Sequence, residues 1–223
     1  VFNEEDVVQE FVRRTSNALQ KDFKTFSYEI IFINDGSIDN TKQKLLSEKK
    51  KNSRIKILEF SRNFGHHIAI SAGLQYASGD YVVVMDGDLQ DRPEEIKKLY
   101  AKLKKGYDVV YAARKNSNFG YFKRLNSLIF NKFIRYLVKE DIVINSTIFR
   151  IMKKDVVTNL NRLQEKNRYI IGMIGWIGFK HTQQIVVHDK RFASTTKYPL
   201  TRQIDLALDA IFSFSTYPLR KVI

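Results

Sequence analysis

Three aspartates, Asp86, Asp88 and Asp91, close the stretch YVVVMDGDLQDRPEE, where a run of apolar residues gives way to acids and then to a proline. In an extended segment, side chains two apart point the same way, so Asp86 and Asp88 could meet one cation. Gly87 between them lets backbone and ligand come close. Carboxylate donors suit a hard divalent ion, Mg²⁺ or Mn²⁺, which keeps waters and substrate phosphates in its remaining positions. That is the chemistry of a nucleotide diphosphate site. An earlier run, IIFINDGSID, delivers Asp35 and Asp39 in the same manner.

Each acid also has an ordinary reading. Asp91 precedes Pro93, and Glu94 lies three residues on, which predicts a helix N-cap with a proline in the first turn and a capping-box glutamate. Asp35 lies in NDGS, a composition that favours turns. Asp86 and Asp88 are harder to explain so, because neither starts the helix and adjacent like charges repel unless something neutralises them.

The elements that must position these residues follow from periodicity. Val7, Val8, Phe11, Val12 and Leu19 fall at helical spacing after VFNEE. A strand is predicted over Tyr28 to Ile33, a helix over Thr41 to Lys50, a strand over Ile55 to Phe60 and a helix over His67 to Ala77. The strand YVVVM, a helix from Pro93 to Lys105 and a strand from Asp108 to Ala113 continue the alternation. This rhythm predicts an α/β fold, a mostly parallel sheet with helices on both faces, whose ligands bind beyond the carboxyl ends of the strands. After Arg114 the pattern predicts a long helix over Tyr121 to Val138, a short strand over Ile142 to Phe149, a helix near Asp155 to Leu163 and a strand at QQIVVHD. An amphipathic helix over Pro199 to Phe214 would carry Leu200, Ile204, Leu208 and Ile211 on one side. No internal repeat or low-complexity linker divides the chain.

The 223 residues are 43% hydrophobic and 28% charged, enough for one sizeable core. Cysteine is absent, which excludes disulfides and thiolate metal sites. The net charge of +14 points to a polyanionic partner: nucleic acid, an anionic lipid surface or a phosphate-bearing substrate. No apolar run approaches the ~18 residues of a membrane span.

Taken together, VFNEE, NDGSID, SRNFGHHIAISAGL and MDGDLQDRPEE resemble family 2 glycosyltransferases of the GT-A (Rossmann-like) fold. DGDLQD is most similar to the polyisoprenyl-phosphate branch, the GtrB-like and dolichyl-phosphate mannose synthase-like enzymes. FRIMKKDVV, NRYIIGMIGWIGFK, RFASTTKYPL and FSFSTYPLR support that branch, so the resemblance covers nearly the whole chain. It implies a catalytic domain over residues 1–198 and an amphipathic, juxtamembrane region over 199–223. It also implies a first strand ahead of VFNEE and two transmembrane helices after PLR.

Position by position, the resemblance implies that Phe2, Asn3, Glu5 and Asp35 line the nucleoside pocket. Asp86 would lie near the diphosphate and ribose, and Asp88, with Asp86 and Gln90, would hold Mg²⁺ or Mn²⁺. His66 stands where many relatives have lysine and would contact the nucleotide. On the acceptor side Arg114, Lys123, Ser127, Arg191 and Lys197 are expected near the lipid phosphate, the last two on a loop that closes over the site. The resemblance therefore makes Asp86, Asp88, Gln90, Arg114 and Arg191 the catalytic set. Two departures stand out: Ile148 occupies a position where some relatives have an acid, and Ser194 replaces a loop glycine.

The loss of that acid removes one candidate base. A phosphate monoester has its second pKa near ~6, so a phosphate acceptor is already largely ionised at neutral pH and has less need of one. The implied activity is inverting transfer of a sugar from a nucleotide sugar, UDP-linked by preference and GDP-linked as the alternative, to a polyprenyl phosphate such as undecaprenyl phosphate. The implied location is the cytoplasmic face of a membrane, whose anionic surface would attract the basic chain. A family 2 transferase acting on a sugar hydroxyl is one rival. A basic nucleic-acid-binding domain is the other, although acids rather than cations stand at its strand ends. The resemblance leaves the sugar, the carrier length and the oligomeric state open.

Overall fold

The computed structural model describes residues 1–114, 146–163, 165 and 170–189. Helix α1, Val8–Asp22, packs Val8, Phe11, Val12 and Ala18 inward, at the predicted spacing. Strand β1, Ile30–Asn34, alternates buried and half-buried residues as a strand between two layers must. Helix α2, Thr41–Lys51, returns the chain to β2, Ile55–Glu59, which pairs in parallel with β1. Helix α3, His66–Tyr76, leads to β3, Tyr81–Val84. A 3-10 turn at Pro93–Glu95 then opens α4, Ile96–Leu103, in place of one continuous helix.

Strand β4, Val109–Arg114, is followed by β5, Ser146–Lys153, then α5, Lys154–Arg162, α6, Ile170–Trp176, and β6, His181–Val186. The second sheet has the order β3-β5-β4-β6. Strand β5 runs antiparallel to both neighbours, whereas β6 is parallel to β4. The sheet is thus mixed: β4 and β6 pair in parallel, and β5 lies antiparallel between β3 and β4. The start of β5 lies next to the carboxyl end of β4, at the edge where ligands are expected. Helix α6 has no counterpart among the predicted elements. Its two glycines, Gly172 and Gly175, weaken helical propensity, and the burial of Ile170, Met173 and Ile174 offsets that weakness.

Two apolar layers flank the second sheet. Val109, Tyr111 and Met152 face Val156, Leu160, Met173 and Ile174. The alternate residues Val110, Ala112, Phe149 and Ile151 face Ile96, Leu99 and Leu103 of α4. Full burial of such side chains contributes about 1.5–3 kcal/mol each. It fixes β3, β4 and β5 side by side, and so the loops at their ends.

Val1 continues beside β1: its nitrogen donates to the Ile33 carbonyl (2.8 Å) and its own carbonyl accepts from Asp35 N–H (3.0 Å). Between β1 and β3, which are not paired among the described residues, lies a cavity of about 580 Å³ lined by Phe11, Ile31, Ile33, Val82 and Val84. His66, Asp86 and Ile148 also line it.

Candidate active site

Polar residues gather where the apolar strands stop. At the end of β1 the chain turns through Gly36, whose φ of 69° suits glycine. A Cβ at this position would run into the backbone of Arg62, so the turn and the SRNFG loop cross at the closest approach a backbone allows. Asp35 is buried against that loop, its carboxylate accepting the N–H groups of Phe64 (2.7 Å) and Gly65 (3.0 Å). Its side chain fixes the neighbouring loop, a third role beside the turn former and the nucleoside contact.

The VFNEE segment is stitched to the same turn. Asn3, at φ 53°, donates its N–H to Ser37 Oγ and accepts Ile38 N–H through Oδ1. Glu5 donates its N–H to Asp39 Oδ2 and accepts Asn40 N–H through Oε2. Phe2 remains exposed beside them. The predicted nucleoside residues Phe2, Asn3, Glu5 and Asp35 therefore share one edge, although Asn3, Glu5 and Asp35 already hold that edge together.

At the end of β3 the chain does not stay extended through DGDLQD. Gly87 and Asp88 form a turn, and a Cβ on Gly87 would strike Val1 rather than ligand space. Leu89, at φ 59°, is the anchor: it is 1% exposed and packs with Val7, Val8, Phe11 and Phe32. A left-handed leucine is costly, and burial of its side chain holds it there. The turn separates the acids. Asp86 has a half-exposed side chain, and its Oδ1 lies 3.7 Å from Nδ1 of His66 at the first turn of α3. Asp88 is buried and accepts both the Gln90 N–H (3.1 Å) and the Gln90 Nε2–H (2.8 Å). Gln90 Oε1 in turn accepts from Arg114 at the end of β4 (3.4 Å). Acid, amide and cation from two strand ends thus meet in one chain of contacts.

Asp91 does not cap the helix. The residue at the N-cap is Arg92, which makes no side-chain capping bond. Asp91 turns instead to His188, past the end of β6, with Oδ1 2.8 Å from Nδ1. Asp91 lies in an isolated antiparallel bridge with His188, away from the α4 N-terminus.

The electrostatics follow from crowding. Burial, with the charges of Asp86 and Asp88 added, pushes Asp91 up to about 7, against a smaller opposing pull from Arg114. Burial pushes His188 down, helped by Arg114 and opposed by Glu95 and Asp189. Burial likewise takes His66 down to about 4, with Arg150 and the chain's amino group acting in the same direction and Asp35 against them. His66 is therefore a neutral imidazole at physiological pH.

The acids fit a divalent cation. Asp86 and Asp88 bear the oxygen donors such an ion takes, and their charges add to burial in pushing Asp91 up. Among the described residues no group of three or more His, Asp and Glu is set to enclose an ion, so most of its shell would be water and substrate oxygen. Gln90 was expected to hold the metal; its nitrogen faces Asp88 and its oxygen faces Arg114. Ile148 lines the cavity near Asp86, an apolar wall where an acid would stand in some relatives. Lys123, Ser127, Arg191 and Lys197 lie outside the described residues, as do the predicted helices over 121–138 and 199–214. Leu89, His188 and Asp189 were not among the predicted site residues. A leucine between acids and a histidine after a β-rich run carry no pattern of their own.

The arrangement is an α/β fold whose acids gather at the ends of its strands. Residues 1–160 match the family described as glycosyl transferase family 2, and the chain belongs to it. It is 41% identical over 221 residues to the uncharacterized glycosyltransferase YkcC of Bacillus subtilis, covering 99% of this chain and 68% of that protein. It is 37% identical to the bactoprenol glucosyl transferase of Shigella phage SfV, covering 99% and 71%. In structure it is similar to glucosyl-3-phosphoglycerate synthase from Mycobacterium tuberculosis in complex with Mn²⁺, UDP-glucose and phosphoglyceric acid. The TM-score is 0.63 and the identity 18%, over 96% of this chain and 76% of that one. This likeness shows the GT-A-like fold. The chain is a glycosyltransferase by family, and among its described residues no helix is long and apolar enough to cross a membrane.

Proposed function

We propose that the protein transfers a sugar from a nucleoside diphosphate sugar, UDP-linked by preference, to a polyprenyl phosphate such as undecaprenyl phosphate. The observation that supports this reading is the contact chain from Asp88 through Gln90 to Arg114, which joins an acid and a guanidinium at the ends of β3 and β4. The relatives that act as bactoprenol glucosyl transferases support the choice of acceptor.

Asp88 and Asp86 would hold Mg²⁺ or Mn²⁺, which when bound neutralises charge on the departing nucleoside diphosphate. Gln90 orients Asp88, so that the carboxylate does not have to reorganise on binding. Arg114 would orient the acceptor phosphate, a role suited to its planar fork. An acceptor oxygen attacks the anomeric carbon as the bond to the diphosphate breaks, inverting that centre. Because the phosphate is already ionised, no base is required, and the apolar Ile148 is consistent with that. The basic chain and its predicted C-terminal segment would bring the site to the cytoplasmic face of an anionic membrane.

The test is a panel of UDP- and GDP-sugars incubated with undecaprenyl phosphate and Mn²⁺, with the lipid product read by mass spectrometry. A glycosyl-phosphoryl lipid formed from one donor and abolished by chelation is expected. Transfer to glycan hydroxyls with none to the lipid would overturn the proposal.

A further inference from the structure

Past β6 the chain does something its strand does not require. Val187 leaves the sheet, and the next two residues cross to the DGDLQD loop. His188 forms an isolated antiparallel bridge with Asp91, and their side chains meet at 2.8 Å with both largely buried. Asp189 N–H donates to the Gln90 carbonyl (2.9 Å). The Asp189 carboxylate pairs with Arg92 and lies 3.6 Å from Arg14, which also holds Glu94. The residue that joins Asp88 to Arg114 is thus gripped through its backbone by a segment nearly one hundred positions away.

A side-chain amide can orient an acid only if its own backbone is held, and a turn outside the sheet has no ladder to hold it. Here the segment just past β6 provides an isolated bridge. We propose that His188 and Asp189 are positioning residues for the cation site, acting through Asp91 and the Gln90 backbone to set where Asp88 lies. The inference rests on the proposed role of Asp88 and names a determinant of that site. Its cost when removed is that of other groups that orient a metal-binding side chain, about 10- to 100-fold in metal affinity.

The experiment measures Mn²⁺ binding by electron paramagnetic resonance, with UDP and with GDP in separate titrations, alongside the thermal midpoint of each variant. His188→Ala should weaken Mn²⁺ binding about tenfold. His188→Asn, which keeps a polar side chain against Asp91, should restore most of it and guards against a variant that does not fold. Asp189→Asn should weaken binding by a smaller factor, and Gln183→Ala on the exposed side of β6 should leave it unchanged. A folded His188→Ala protein that binds Mn²⁺ as wild type does, while Asp88→Asn does not bind it, overturns the positioning role alone. Unchanged binding in both variants overturns the cation site as well.

Discussion

Gln90 Nε2 donates to Asp88 Oδ2 at 2.8 Å while Gln90 Oε1 accepts from Arg114, so one amide links the buried acid of the β3 loop to the cation at the end of β4. Neither charge contacts the other directly through this link. The amide keeps each available to a different partner.

Asp88→Asn should lower turnover at least ~100-fold with little change in thermal midpoint, because the loss is of charge stabilisation and not of packing. Gln90→Ala should raise the Mn²⁺ concentration for half-maximal activity about tenfold and keep a larger share of turnover. Steady-state kinetics across a metal titration separates the two. Full activity of Asp88→Asn at saturating metal would remove Asp88 from the site.

Arg114 is exposed at the strand end, so its replacement should not unfold the protein. Arg114→Ala should raise KM for the lipid phosphate about 10- to 100-fold, as expected for loss of a ~1.5–3 kcal/mol hydrogen bond to a charged group. Lysine should rescue only part, since it lacks the planar fork. A fall in kcat at unchanged KM would mean that Arg114 acts through Gln90 alone.

Leu89→Ala removes a side chain that is 1% exposed and anchors the acidic turn. A loss of about 2–5 kcal/mol in urea unfolding is expected, together with weaker Mn²⁺ binding. Loss of stability with unchanged metal binding would show that the turn keeps its shape without this anchor.

Asp39 gives a pH signature. Burial opposes its ionisation, but the Thr41 hydroxyl and N–H and the Glu5 N–H outweigh burial and hold the carboxylate below its usual range. The unfolded chain therefore takes up this proton first on acidification. The stabilisation is complete above about pH 4 and is lost as pH falls through the lower folded-state value. The difference in urea midpoint between wild type and Asp39→Asn should be constant from pH 7 to 5 and shrink below 4. A difference that does not shrink at all as pH falls below 4 would assign the stabilisation to something other than the carboxylate.

Much of this was legible in the sequence. Strand-helix alternation, the apolar runs and the acids that end them determined the α/β order and put Asp35, Asp86 and Asp88 at one edge, because polar residues after a buried strand emerge where ligands bind. Periodicity is local, and so is what it reveals. It could not show that β5 runs antiparallel, since pairing direction depends on which strands lie side by side. Nor could it divide the labour among the three acids. Leu89, buried against α1 and β1, bends the loop so that Asp86 is half exposed and Asp88 lies inside. His188 arrives from the far end of the chain to take Asp91 away from the helix it resembles a cap for. Those decisions rest on burial and on contacts between residues distant in sequence, and only the tertiary structure holds them.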